Sequence, residues 1–584
     1  MTISQPTERR TIRLVSLCGL ALLVGAITGL GAIALRALIG LLHNVFFLGQ
    51  LSWHYDANLP TPASPWGPAV ILAPVVGGAI VLFLVRRFAP EAKGHGVPEV
   101  MDSIYYKEGR IRPVVVLIKS LASALSIGSG ASVGREGPII QIGSGIGSAI
   151  GQLSRLATWQ TITLVAAGAG AGIAATFNTP LGAVMFAVEL MLPELSARTF
   201  LPVVLATGTA TYVGRQFFGV GPAFSAPLER LPDLVASVSI ELLPLYVALG
   251  LICGLASALF VRTLYWTEDL FDGIKLNPYL LNAIGMLSIG VLMYVMFVAF
   301  GDYHTQGVGY STIEDILHGN IGVAWMLALL FATKLVATSV SLGAGASGGI
   351  FSPSLFLGAT LGGCFGAICQ SLFPNLGLSP VLCAIIGMAG IVGGATGAAM
   401  TAILMIFEMT RDYAVTVPAI IAVACAIGLR RVLVFENIYT LKLARRGHRI
   451  PKDRHSHMFL IRHAAGIMAR VVGSVELQAL TPRAETGWSP TSGNAFLVVI
   501  DAQRVVGVIP AGQDGSYSPT APILRDFTVV RDDDFLQAIM RRLTRKRRAV
   551  ALVIKGGGVP RASKVLGVIT RTEIANAMMA DFTG

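Results

Sequence analysis

Long stretches of this chain run almost without charge: Leu14–Leu42, Val70–Leu84, Leu201–Val213, Leu242–Phe260, Ala283–Phe300 and Ala324–Val340. Several are long enough to cross a hydrocarbon core of ~30 Å as helices. With 584 residues, 54% of them hydrophobic and 13% charged, the chain has too little polar surface to cover a water-soluble body. An integral membrane protein is therefore predicted, with a lipid bilayer as its surroundings. The first apolar stretch follows Arg9, Arg10 and Arg13, is too long for the apolar part of a signal peptide and lacks a clear small-residue cleavage site. It reads as a retained helix with a cytoplasmic N-terminus by the positive-inside rule. The basic run Arg445, Arg446, Arg449, Lys452 and Arg454 follows the last apolar stretch and places the C-terminal region on the same side. Such flanks near anionic lipid account for the formal charge of +12. No basic stripe with interleaved aromatics occurs, so no nucleic-acid partner is expected. The six cysteines lie in apolar sequence and read as small buried hydrophobes, with neither zinc-site nor disulfide spacing.

From about residue 465 the pattern changes to short β-branched runs, at Phe496–Ile500, Val505–Ile509, Val550–Ile554 and Val565–Ile569, with a charged helical segment around Phe535–Arg545. This predicts a soluble α/β region, with Thr481–Asn494 as a loop. The membrane part, in contrast, is repeatedly interrupted by glycine and proline. Gly128-Ser-Gly-Ala-Ser-Val-Gly-Arg-Glu-Gly-Pro138 aligns with Gly343-Ala-Gly-Ala-Ser-Gly-Gly-Ile-Phe-Ser-Pro353 without a gap, and Pro180–Glu189 matches Ala399–Glu408 in looser register. The repeated order implies an internal duplication with a period of a little over two hundred residues. Paired interrupted segments in two halves are the best sequence pointer to a transport site, because irregular backbone at membrane depth must be buried or line a cavity.

Each repeated motif is a glycine-rich turn with a proline soon after it, the signature of a helix start. Lys93-Gly94-His95-Gly96-Val97-Pro98 is built the same way. Free backbone amides and the helix dipole at such a start attract negative charge. Three converging starts could hold a partly dehydrated halide without a buried lysine or arginine, weakly enough for release. A phosphate-binding loop is disfavoured, since no G-x-x-x-x-G-K-[ST] occurs. Glu136 is a carboxylate in apolar sequence at one of these starts. Ionised, it would occupy the anion site; protonated or displaced, it would swing away. The alternative is a structural ion pair with Arg135.

These residues resemble the CLC family of chloride channels and proton-coupled chloride transporters, in a prokaryotic-type member. Gly94-His-Gly-Val-Pro98 is similar to the family's G-S-G-I-P element, Gly134-Arg-Glu-Gly-Pro138 to G-R-E-G-P, and Gly349-Ile-Phe-Ser-Pro353 to G-x-F-x-P. Tyr439 in Asn437-Ile-Tyr-Thr-Leu matches the late anion-contacting tyrosine, although an interfacial aromatic is the blander reading. The resemblance implies an all-α polytopic fold of two inverted repeats of broken, tilted helices, a homodimer with one pathway per subunit, and a bacterial inner-membrane location. The boundaries that follow are 1–447 for the transmembrane domain (repeats about 11–217 and 239–447), 448–464 for a basic linker and 465–584 for the cytoplasmic domain. Glu136 becomes the gate. His95, Gly96, Ile350, Phe351 and Tyr439 become the anion site. Gly94, Pro98, Gly134, Arg135, Gly137, Pro138, Gly349 and Pro353 shape its backbone.

The chain departs from the family pattern twice. His95 stands where chloride-selective members usually carry serine. Its imidazole either donates one hydrogen bond or packs away and leaves binding to backbone amides. Leu190 stands where proton-coupled members usually carry a glutamate, and leucine cannot relay a proton. Neighbouring Glu189 matches a different acidic residue of the family, and Glu194 is a shifted candidate relay. The expectation is passive or weakly proton-coupled chloride conduction, with a proton/chloride antiporter as the alternative. The tail resembles a pair of CBS modules. Gly567-Val-Ile-Thr-Arg-Thr-Glu573 is similar to the module's end, where Thr570 and Glu573 could meet adenine nucleotide; no other cofactor is expected. A CBS-linked magnesium transporter would need clustered carboxylates along its route. An enzyme would need a nucleophile–base, metal or cofactor motif, so no catalytic or metal-binding residue is expected.

Overall fold

The computed structural model describes residues 10–224, 240–450, 462–479, 495–501, 504–512, 514, 516–517, 523–556 and 560–582. Lys452, Arg454 and the Thr481–Asn494 loop lie outside the described residues. The chain divides into two compact units, Met1–Ile450 and Pro451–Gly584.

Every predicted apolar stretch of the first unit lies in a helix, and among the described residues eight helices are long and apolar enough to cross a membrane. Between them stand shorter apolar helices at Pro113–Gly128, Pro180–Met191, Pro380–Thr396 and Ala399–Thr410. The breaks fall where the sequence allows a left-handed residue. Thr158–Phe177 ends at Asn178 (φ 58°), and Pro180 opens the next helix. In the second repeat Pro380–Thr396 ends at Gly397 (φ 74°), and Ala399 restarts the chain as a helix.

The duplication extends into the packing. Gly143 on helix Glu136–Leu153 lies directly against the Gly168 carbonyl of Thr158–Phe177, and Gly168 against the Gly143 carbonyl. Gly358 on Phe351–Leu372 and Gly387 on Pro380–Thr396 make the same reciprocal contact. A methyl group at any of the four would collide with backbone, so these pairs fix how closely two helices approach. Glu189 and Glu408 are reciprocal as well. Glu189 accepts from the amides of Met400 (2.9 Å) and Thr401 (2.8 Å), capping Ala399–Thr410. Glu408 accepts from the amides of Leu181 (3.0 Å) and Gly182 (2.7 Å), capping Pro180–Phe186. Both carboxylates thereby gain a helix N-terminus, which makes them tolerable in apolar surroundings.

The second unit is a six-stranded sheet of β1 (Ala469–Glu476), β2 (Ala495–Asp501), β3 (Arg504–Ala511), β4 (Phe527–Arg531), β5 (Val550–Ile554) and β6 (Val565–Ile569), in the order β3-β2-β1-β6-β5-β4. β1 is parallel to β2, which pairs antiparallel with β3; β4 repeats the pattern with β5 and β6. The four strands expected from β-branched runs are β2, β3, β5 and β6, and the expected charged helix is Leu536–Arg545. One sheet face carries Val530, Ala551, Val553 and Ile569 against Leu536, Ile539, Leu543 and Ile574 of the helices. The other buries Phe496, Val498, Val508, Leu552 and Val568.

Candidate anion pathway

The three glycine–proline motifs all become helix starts in the first unit. Helices Val97–Tyr106, Glu136–Leu153 and Phe351–Leu372 begin after Gly96, Arg135 and Ile350, none of which caps its helix with a side chain. Pro98, Pro138 and Pro353 sit in the first turns. Gly134 and Gly349, which correspond in the duplicated sequence, bond each other in both directions: the Gly134 amide donates to the Gly349 carbonyl at 2.7 Å, and the Gly349 amide to Gly134 at 2.5 Å. Equivalent residues that exchange both bonds with each other lie on a local two-fold axis. The motifs meet there. A Cβ on Gly137 would stand 2.9 Å from the Gly349 Cα and against the His95 carbonyl, and one on Gly96 would stand 2.8 Å from the Gly137 carbonyl oxygen. The Gly94 carbonyl accepts from the Gly348 amide at 3.4 Å.

Glu136 is fully buried. Its Oε2 accepts from the Ser352 amide at 3.3 Å, in the first turn of the other repeat's helix, and its Oε1 accepts from the Tyr310 hydroxyl at 2.5 Å. Arg135 Nε lies 4.0 Å from Oε1, and its guanidinium sits over the Tyr310 ring, 5.1 Å from the centroid. The Arg135 ion pair is thus the longest of the carboxylate's contacts. Arg135 also lines a narrow cleft with Arg36, Thr176 and Phe218.

His95 is fully buried, and neither ring nitrogen has a hydrogen-bond partner in the protein. Buried polar groups are ordinarily satisfied, so both ring nitrogens are left available to a ligand or to solvent. The ring faces Tyr439 at a centroid distance of 6.0 Å. Tyr439 precedes helix Thr440–Arg445 and is pinned by its neighbours. Asn437 Oδ1 accepts from the Tyr439 amide (2.9 Å) and the Thr440 amide (2.8 Å), while the Ile438 carbonyl accepts from the Tyr265 hydroxyl at 2.6 Å. Ile350 and Phe351 are buried, the Phe351 ring 5.6 Å from that of Phe177.

Sequence reasoning missed three features. The first is a pair of lysines, Lys119 and Lys334, both fully buried. Lys119 Nζ donates to the carbonyls of Ala92 (3.0 Å) and Gly94 (2.6 Å). Lys334 Nζ donates to those of Thr305 (3.1 Å) and Gly307 (2.9 Å). They correspond in the duplication, and their targets reveal a fourth turn, Gly307-Val308-Gly309, which mirrors Gly94-His95-Gly96; all four glycines have positive φ. The third feature is Tyr310, which follows that turn. The signal in the sequence was the G-x-G pair and the lysine at matching places in each repeat.

Elsewhere, Leu190 is buried in the π-helical turn Ala187–Met191. Glu194 is buried, with Arg198 3.4 Å from its carboxylate. In the second unit Glu573 Oε2 accepts from both the Thr570 amide (2.8 Å) and the Thr570 hydroxyl, so these two residues bond each other at the start of helix Arg571–Phe582. Glu573 also lines a groove with Arg462, Arg470 and Asn576.

The sequence pattern of the family described as voltage gated chloride channel matches residues 77–431. The chain belongs to this family. It is 32% identical over 410 residues to a ClcB-like chloride channel protein of Ralstonia nicotianae, covering 68% of this chain and 92% of the relative. It is 35% identical over 378 residues to an H(+)/Cl(-) exchange transporter ClcA of Vibrio cholerae, covering 62% of this chain and 76% of the other. The CLC fold is matched by a slow cyanobacterial Cl-/H+ antiporter (TM-score 0.64, 25% identity, 75% of this chain and 99% of that one). A eukaryotic CLC transporter matches with TM-score 0.61 at 20% identity over 96% of this chain and 98% of its own. The fold likeness to that CLC protein thus extends through the C-terminal sheet. Anion transport is the family's activity, and an integral membrane protein with an α/β C-terminal region is its architecture here.

Proposed function

We propose that this chain carries chloride or a similar small anion across the bilayer, along a path gated by Glu136. The observation that carries the reading is the position of the Glu136 carboxylate, which lies on the Ser352 amide at the start of helix Phe351–Leu372. A negative group of the protein stands where a permeating anion would be attracted. Displacement or protonation of Glu136 frees that start. The amides of Ile350 and Phe351, the Tyr439 hydroxyl and the His95 and Gly96 region then hold the central ion, with Arg135 and the motif glycines and prolines shaping the backbone. Lys119 and Lys334 are committed to carbonyls, so peptide dipoles remain the principal attraction.

Conduction is passive or weakly proton-coupled in this reading. Leu190 cannot relay a proton, Glu189 is committed to a helix cap, and Glu194 faces Arg198. The alternative, a proton/chloride antiporter, is favoured by the names of the Vibrio relatives and of the cyanobacterial structure. The assembly is a homodimer with one pathway per subunit, in a bacterial inner membrane with both termini cytoplasmic. The transmembrane domain spans 1–447, and 465–584 is a CBS-pair-like regulator, joined by 448–464. Thr570 and Glu573 would meet adenine nucleotide only by exchanging their mutual bond for one to the ligand.

Purified protein in liposomes under an anion gradient, with lumenal pH recorded, tests the reading. Chloride flux without uphill proton movement is expected, with Glu136→Gln removing most of the pH dependence of flux. Uphill proton movement that vanishes in Glu136→Gln would establish the antiporter.

A further inference from the structure

The Glu136 carboxylate is held from two sides: by the helix start at Ser352, and by a phenol that lies outside the glycine–proline motifs. Resting on the gate reading of Glu136, we propose that Tyr310 is the positioning residue of the gate. Its hydroxyl latches the ionised carboxylate onto the start of helix Phe351–Leu372 and so sets how strongly chloride must compete to displace it.

The contacts form a closed ring. The Tyr310 hydroxyl donates to Glu136 Oε1 at 2.5 Å and lies 2.8 Å from Ser352 Oγ, while the Ser352 amide donates to Glu136 Oε2 at 3.3 Å. A phenol has one proton. With that proton on the carboxylate, the Ser352 hydroxyl must donate to the phenol oxygen. Ser352 therefore supports the gate through its amide directly and through its hydroxyl by way of Tyr310. A donor to an ionised carboxylate makes one of the stronger kinds of hydrogen bond.

The latch is also rigid. Tyr310 follows Gly309 (φ 78°) and opens helix Tyr310–Leu317, and its ring is fully buried. Phe224 meets that ring edge-on at 5.3 Å, Phe177 lies at 6.3 Å, and the Arg135 guanidinium covers a face. The turn before it is stapled by Lys334 through the carbonyls of Thr305 and Gly307. A donor fixed on so many sides selects one position of the carboxylate. The corresponding place after the Gly94-His95-Gly96 turn is Val97, which has no hydroxyl, so the duplicated scaffold carries this device in one repeat.

The test uses full-length protein, with chloride binding read by isothermal titration and chloride flux read from liposomes. Tyr310→Phe keeps the ring and removes the hydroxyl. We expect it to tighten apparent chloride binding about tenfold, because the carboxylate competes less well once a charge-assisted bond is gone. Glu136→Ala should tighten binding at least as much, and Tyr310→Phe should add nothing on that background, a result that altered packing alone would not give. Unchanged affinity in Tyr310→Phe, where Glu136→Ala does tighten binding, overturns the latch and leaves the gate standing. If Glu136→Ala changes neither binding nor flux, the gate reading itself falls, and the latch with it. Should Tyr310→Phe fold poorly, Ser352→Ala removes the hydroxyl behind the phenol and retains the amide. Parental affinity in that variant also overturns the proposal.

Discussion

Lys119 and Lys334 perform one task in two places, each placing its Nζ between the first carbonyl of a G-x-G turn and the carbonyl two residues before it, from a helix of its own repeat. Around them the two halves share helix starts, reciprocal glycine contacts and exchanged carboxylate caps. The differences lie elsewhere. His95 faces Val308 across the comparison, Val97 faces Tyr310, and Glu136 faces Phe351. The repeated positions hold irregular backbone in place at membrane depth, where each unsatisfied amide or carbonyl is costly. The unmatched positions carry the polar groups that meet an ion or a gate. A duplicated scaffold is thus stabilised symmetrically and specialised asymmetrically.

The largest effect should come from the staples. Lys334→Met removes the donor to the Thr305 and Gly307 carbonyls, at about 1–3 kcal/mol per group, whereas Lys119→Met leaves Ala92 accepting from the Ser347 hydroxyl (2.8 Å) and Gly94 from the Gly348 amide (3.4 Å). Lys334→Met should lower the thermal unfolding midpoint in detergent by an amount corresponding to about 2–6 kcal/mol, and Lys119→Met by less. Equal losses would mean that the Ser347 and Gly348 donors do not compensate for the lost ammonium. If Lys334→Met unfolds like the parent, its staple contributes nothing and the comparison breaks. The functional consequences should diverge even where stability does not. Lys119→Met loosens the turn that carries His95 and should weaken chloride binding, whereas Lys334→Met loosens the Tyr310 turn and should free the gate.

A smaller effect is expected from the exchanged caps. Glu189 accepts three bonds, from the Met400 and Thr401 amides and the Thr401 hydroxyl (2.6 Å), while Glu408 accepts two. Glu→Gln at either position keeps one acceptor oxygen and removes the charge from the helix start. A loss of about 1–2 kcal/mol is expected, larger for Glu189, read from the same unfolding measurement. A neutral Glu189→Gln would show that this carboxylate is not held for its charge.

How far these features could be read from the amino-acid sequence depended on whether their cause was local. The spanning helices follow from apolar length, and the paired motifs from an ungapped match around Gly134 and Gly349. Strands β2, β3, β5 and β6 are β-branched runs. β1 and β4 do not stand out because Arg470, Ser474 and Glu476 interrupt the one and Arg531 cuts the other short, as strands with one wetter face require. The Gly307-Val308-Gly309 turn was hidden because only two glycines recur and its spacing slips relative to the longer motif. Lys334 lay inside a stretch that otherwise read as uncharged, its partners visible only after folding. Tyr310 could not be found at all from its neighbours, since its role arises where a residue of one repeat meets the gate of the other.

The smallest effect isolates the asymmetry at the centre of the two turns. His95 is fully buried with both ring nitrogens unpaired and faces Tyr439, whereas Val308 borders a cleft with Tyr55, Thr61, Asp302, His304 and Tyr310. His95→Ser exchanges a ring N–H for a shorter hydroxyl donor in the anion site, a change of about 1 kcal/mol in the preference among chloride, nitrate and fluoride. Reversal potentials in mixed anions should shift accordingly, by a few-fold in relative permeability. Val308→Ser introduces the same hydroxyl at the corresponding position and should shift nothing, because that turn presents its successor Tyr310 to the gate and no side chain to the ion. Identical reversal potentials in His95→Ser would place the imidazole outside the pathway and leave selectivity to the backbone amides. A shift in Val308→Ser would mean that the second turn also meets the permeating ion, and that the specialisation of the repeats is less complete than the geometry of their polar groups indicates.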